Sequence, residues 1–205
     1  SWSNKKKYNA RFIFTELKED SFIFCCSLDN TLLYYKINTN LNEMNNSFSS
    51  SFAITSFVTC VIRTNENEFL TGHDNGKISK WRLIENNSFT NLELLINEKS
   101  NKSSITSLLY NDKLSILISS ATNSIMIRKY YNFEFLNSIK IKNDKNQKIN
   151  IIYIKLSNND FMYVLVNMND GEIYELHGYT LNGLLFGKYS GKISNFELTN
   201  KGQII

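Results

Sequence analysis

Two histidines, three cysteines and a few paired carboxylates are the residues whose types could do chemistry, and their spacing argues against most of it. His73 and His177 have no cysteine or carboxylate at zinc-ligand spacing. A serine nucleophile wants a GxSxG elbow between a strand and a helix, whereas Gly187-Lys188-Tyr189-Ser190-Gly191 sets its glycines at other distances. Gly72 and Gly76 flank a turn, yet no helix pattern follows whose N-terminus would hold phosphate. Glu19-Asp20 and the pair Glu66 and Glu68 fall in hairpin-like positions, which suits solvated turns better than a general acid and base. Cys25, Cys26 and Cys60 lie within strand patterns, where adjacent residues point to opposite faces, and read as small buried hydrophobes of a reducing compartment. The sequence thus predicts no catalytic residue, no cofactor and no metal, and disfavours an enzyme.

The elements that position these residues repeat along the chain. Gly72-His73-Asp74-Asn75-Gly76-Lys77-Ile78-Ser79-Lys80-Trp81-Arg82-Leu83 is a polar turn followed by an alternating apolar strand, and turns of the same kind centre on Asn30, Asn123 and Gly171. With Gly76 in the same series, the intervals are 46, 47 and 48 residues. A period of roughly 40 to 50 residues carrying several strands marks a propeller blade rather than a helical solenoid. Two apolar runs precede each turn, as at 57–63 and 68–72, and a fourth run is readable at 92–96, 135–141 and 184–189. The expected fold is therefore all-β, a partial propeller of four-stranded antiparallel blades, about four blades and the start of a fifth. Approximate blades are 10–55, 56–102, 103–148 and 149–191, with an incomplete 192–205. The Asn-rich and Ser-rich stretch 38–51 reads as a disordered loop between the first two blades.

The 205 residues carry a net charge of +4, no proline and no apolar run long enough for a transmembrane helix. Lysines are scattered apart from Lys5-Lys6-Lys7 and the stretch 140–148, and the aromatics fall at core-like strand spacing, so no nucleic-acid partner is expected. The opening Ser1-Trp2 and the closing Gly202-Gln203-Ile204-Ile205 read as cuts through a longer chain, leaving blade faces that would make the segment poorly stable alone. Trp81 is expected in the core, with Tyr35, Arg128 and Leu176 in equivalent positions.

Thr71 to Arg82 resembles the WD repeat, and Cys26 to Lys36 matches it with tyrosine for tryptophan; 119–128 is a weaker copy. The Gly-His dipeptide that stands before the first strand in that family is missing from every unit. The side-chain network it supports there, with an Asp, a Ser or Thr and the Trp, is left without its usual histidine. A narrower pattern, Phe57-Val58-Thr59-Cys60-Val61, then Ile105-Thr106-Ser107-Leu108, then Thr180-Leu181-Asn182-Gly183-Leu184-Leu185, resembles the C-terminal propeller of BEACH-domain proteins of the neurobeachin type.

The expected function is a protein–protein interaction scaffold whose rim loops bind, since blade strands are occupied with packing. The BEACH resemblance implies a large cytoplasmic parent acting in vesicle, lysosome or autophagy traffic, reaching membranes only indirectly. The alternatives are a WD-repeat subunit in ubiquitin ligation or ribosome assembly, and a propeller enzyme. The candidate partner contacts are His73, Asp74 and Lys77, and for His73 a structural contact that caps the turn is favoured over a partner contact.

Overall fold

The structure is a computed structural model that describes residues 12–18, 21–26, 31–36, 47–85, 90–122, 124–140, 151–156, 162–166, 172–176 and 183–188. Its strands form four antiparallel sheets, each built in sequence order from neighbour to neighbour. Blade 1 comprises β1 (Phe12–Lys18), β2 (Ser21–Cys26), β3 (Thr31–Lys36) and β4 (Ser47–Ala53). Blade 2 comprises β5 (Val58–Arg63), β6 (Glu68–His73), β7 (Lys77–Glu85) and β8 (Thr90–Lys99). Blade 3 comprises β9 (Ile105–Asn111), β10 (Ile116–Ala121), β11 (Ser124–Lys129) and β12 (Phe135–Lys140). Blade 4 comprises β13 (Ile151–Leu156), β14 (Met162–Val166), β15 (Glu172–Leu176) and β16 (Gly183–Lys188).

The first strands β1, β5, β9 and β13 pack against one another in series, as the inner strands of a propeller do, and the fourth strands take the outer edge. Four meander sheets in radial series confirm the partial propeller. One expectation is corrected. The stretch read as a disordered loop holds β4, paired with β3 from Thr31↔Ala53 to Lys36↔Ser47 across a bulge. A serine-rich edge strand needs only one partner strand and little apolar alternation, so composition hid it. Residues 37–46 and 192–205 lie outside the described residues.

Blade 2 is covered on both faces, which is why every residue of β6 is buried. Alternation sends Phe69, Trp81 and Leu83 into the core shared with Leu17, Ile23 and Leu32 of blade 1. It sends Leu70 and Ile78 into the core shared with Ile105, Leu117 and Phe133 of blade 3. Neighbours Phe69 and Leu70 thus serve different blade junctions, and burial of each is worth about 1.5–3 kcal/mol. Phe69 also stacks on its cross-strand partner Trp81, with ring centroids 6.3 Å apart at 12°.

Polar links fix the junctions. Thr59 Oγ1 donates within reach of both Gly72 O at 3.0 Å and Ile105 O at 2.6 Å, stitching β5 to β9. Side chains pack so closely on Gly72 there that a Cβ on it would sit 2.6 Å from both Cys60 Sγ and Ile105 Cγ2. At the opposite end of the strands, the Glu68 carboxylate accepts from Arg82 Nη2 at 2.9 Å, Asn65 Nδ2 at 3.2 Å and the Tyr130 hydroxyl of blade 3 at 2.9 Å. Lys80 Nζ lies 3.1 Å from the same carboxylate and 3.9 Å above the Tyr130 ring. Burial pulls the Glu68 pKa upward, but the bonds from Arg82, Lys80 and Tyr130 prevail and bring it down to about 2.

Candidate functional site

The site is built on the turn that joins β6 to β7. Gly76 takes φ +81°, in the left-handed region glycine reaches at low cost, and closes the turn by donating to His73 O at 3.1 Å. Asn75 Oδ1 accepts from Lys77 N at 3.0 Å, an Asx contact that stiffens the loop. Asp74 N donates to Phe57 O at 3.0 Å, tying the turn to the segment entering β5. The Gly76 carbonyl then accepts from both Ser100 N and Asn101 N at 3.0 Å, tying it to the segment leaving β8. The result is a rigid rim in which Asp74 and Asn75 are exposed, Lys77 is half-buried and Phe57 is 44% exposed.

His73 belongs to the interior. Its side chain is buried on the same face as Thr71, Ser79 and Trp81, because alternating residues of β6 and their partners on β7 share one face. The Trp81 indole donates to Thr71 Oγ1 at 2.9 Å, and Thr71 Oγ1 lies 2.9 Å from His73 Nε2. On the other side of the ring, Nδ1 stands 3.0 Å from Ser56 Oγ and 3.3 Å from Ser56 O. A neutral ring with its proton on Nδ1 satisfies the whole chain: indole N–H to threonine, threonine O–H to Nε2, Nδ1–H to Ser56. Burial lowers the His73 pKa from 6.5. The Ser56 carbonyl and the Asp74 charge oppose that, and the Lys77 charge adds to it.

So the tryptophan does have a hydrogen-bond network, with its histidine in a different place. The ring comes from the end of β6, and Ser56, just ahead of β5, meets it from the side where the WD repeat carries its Gly-His. Blade 3 solves the same position differently. Arg128, equivalent to Trp81, donates through Nε to Ser100 Oγ at 3.0 Å and through Nη1 to Phe133 O at 2.7 Å, while Ser100 Oγ reaches Ser119 Oγ at 3.3 Å. In blade 1 the neighbouring Tyr34 is fully buried and donates to Glu85 Oε1 of blade 2 at 2.7 Å. The side chains of Tyr35 and Leu176 lie outside the described residues.

Of the three residues singled out from sequence, the structure leaves Asp74 and Lys77 at the surface and puts His73 behind them. Phe57 escaped the sequence reading because it opens a strand-like run, and only the bond to Asp74 shows that it flanks the turn. Beside this rim lies a cleft of about 90 Å³ between the segment Ala53–Ser56 and the pair β7 and β8, with His73 in its wall. Among the described residues no cluster of His, Cys, Asp or Glu could hold a metal ion.

No family model and no curated protein matches this sequence. The solved structures do. Sqt1 of Chaetomium thermophilum, in a crystal structure bound to the N-terminus of the ribosomal protein L10, superposes with a TM-score of 0.69 at 12% identity over 92% of this chain and 53% of that one. Sqt1 of Saccharomyces cerevisiae gives a TM-score of 0.66 at 11% identity over 89% of this chain and 52% of that one. The likeness is one of fold, a partial β-propeller. The propeller described here spans about half the length of the solved chains it matches. These neighbours support the WD-repeat part of the sequence resemblance and give its BEACH-specific part no support.

Proposed function

We propose that this propeller binds protein through the rim at the β6–β7 turn, with Phe57, Asp74 and Lys77 as contacts and His73 as the buried support of the turn. The observation that carries this reading is an exposed phenylalanine, Phe57, tied by its backbone to the turn that carries exposed Asp74 and half-buried Lys77, on a backbone held by hydrogen bonds from both sides. A rigid aromatic next to charges is the usual anchor of a protein interface. No set of side chains on this rim combines a nucleophile, a base and an oxyanion donor.

Two parents are distinguished by what supports them. A role in ribosome assembly is supported by the likeness to Sqt1, whose Chaetomium form was crystallised with the N-terminus of ribosomal protein L10. A BEACH-type trafficking parent has only the order of hairpin patterns in the sequence behind it. Titrating the whole protein with the N-terminal segment of its host's L10 tests the first directly. Binding weakened tenfold or more by Phe57→Ser supports it, and no binding at millimolar peptide removes the ribosome-assembly version. The broader reading fails if Phe57→Ser and Lys77→Glu leave every protein partner of the whole protein bound as before.

A further inference from the structure

Three cross-strand pairs share the face of blade 2 that looks towards blade 1: Trp81↔Leu94, Ser79↔Asn97 and Lys77↔Lys99. The first two line the cleft, together with Ile54, Thr55 and His73. The third continues the same ladder to the rim, because directly opposed residues of an antiparallel pair lie on one face. From floor to mouth the wall therefore runs from apolar, through hydroxyl and amide, to two ammonium groups.

The mouth is unusual on physical grounds. Like charges directly opposite each other in a sheet destabilise it, and neither Lys77 nor Lys99 has an ion pair among the described residues. Asp74 is exposed on the same turn and bonds neither. Within the cleft, Asn97 Oδ1 accepts from Ser79 Oγ at 3.3 Å, and Asn97 Nδ2 and Thr55 Oγ1 have no partner among the described residues. Leu94 is 45% exposed at the open side. The wall thus offers an aliphatic floor, an amide donor and two cations.

We infer that this cleft takes a partner peptide in extended form, inserting one branched aliphatic side chain between Leu94 and Trp81 and setting a flanking aspartate or glutamate against Lys77 and Lys99. Size supports this: the cleft, about 90 Å³, is larger than a single water needs and admits a branched side chain such as valine or isoleucine. Charge supports it too, since an acidic residue would relieve the opposed lysines. A nucleic acid fits worse. It needs an open aromatic face for stacking, and Trp81 is 7% exposed. The inference rests on the protein-binding reading and adds the chemistry of the partner.

The test is selection from a random dodecapeptide display library on the immobilised whole protein, run in parallel on the double variant Lys77→Glu/Lys99→Glu. Both lysines lie at a strand end and reversal adds no buried group, so folding of the variant can be checked by its circular dichroism. The expected result is enrichment of peptides with Asp or Glu beside Val or Ile, at least tenfold weaker on the variant and on Leu94→Glu, and weakened several-fold by raising salt from about 50 to 300 mM. Three results overturn it: no enrichment, enrichment of peptides without acidic residues, or equal binding to the variant. Displacement of the peptides by an oligouridylate dodecamer would point to RNA and overturn it as well. Peptides that lack acidic residues yet depend on Phe57 would leave the rim reading standing and sink only this one.

Discussion

The Trp81 indole donates to Thr71 Oγ1 at 2.9 Å, and that same oxygen sits 2.9 Å from His73 Nε2, so one hydroxyl joins the strand core to the turn. This hydroxyl helps to hold His73 inward at the end of β6, next to the exposed Asp74.

Thr71→Val keeps the shape and removes the hydroxyl. It leaves the indole N–H buried without its acceptor and the imidazole Nε2 with Ser79 Oγ at 3.1 Å as its remaining hydroxyl, at a cost of about 1–3 kcal/mol. Thr71→Ser should cost under about 1 kcal/mol. Urea unfolding of the two variants beside the parent measures both, and equal losses would show that the hydroxyl contributes little.

The depressed pKa of His73 gives a pH dependence of definite sign. The unfolded ring binds a proton near pH 6.5, whereas the buried ring binds one only at lower pH. The stabilisation is therefore complete above about pH 6.5 and is lost as pH falls below it. Denaturation midpoints at pH 7.5 and 5.5 should differ more in the parent than in His73→Gln.

At the other end of the blades, Glu68 behaves as a depressed carboxyl, with its pKa near 2 against 4.5 in the unfolded chain. Its contribution is present above about pH 4.5 and disappears as pH falls towards 2. Glu68→Gln should cost roughly 3 kcal/mol at neutral pH because Lys80 is left buried without its carboxylate. Tyr130→Phe, which removes the hydroxyl's bonds to Glu68 and Thr64 across the blade 2–3 junction, should cost about 1–2 kcal/mol. A thermal melt series from pH 7 to pH 3 tests both.

Gly76 should not tolerate a side chain. At φ +81° any Cβ is strained, and this one would meet Asn101 O at 2.1 Å and Ser103 O at 2.8 Å. Gly76→Ala should destabilise by more than about 2 kcal/mol. It should also speed hydrogen exchange at the Ser100 and Asn101 amides, whose acceptor is the Gly76 carbonyl. Unchanged exchange would contradict that.

The blades were legible in the sequence because period-two alternation and Asn-Gly or Asp-Gly turns are local signals, and 15 of the 16 strands among the described residues announce themselves that way. The exception, β4, is serine-rich and gains its place only from pairing with β3. The role of His73 was half legible. Its neighbour Asp74 pointed to a turn, but Thr71, His73, Ser79 and Trp81 share one parity on two paired strands, a pattern that places the ring inside. The contacts joining blades were not legible. Thr59 meets Ile105 across 46 residues and Glu68 meets Tyr130 across 62, and no local pattern encodes such partners.

A photo-crosslinking residue placed at Asn75 in the whole protein, in its own cells, tests most directly whether this propeller meets protein at the β6–β7 rim, as we propose. Asn75 is exposed on that rim, and Lys113, exposed on the β9–β10 turn at the opposite end of the strands, is the control position. We predict a discrete protein adduct from position 75 that disappears with Phe57→Ser, and no such adduct from position 113. An adduct from position 113 alone, a nucleic-acid adduct, or none at position 75 would contradict the account.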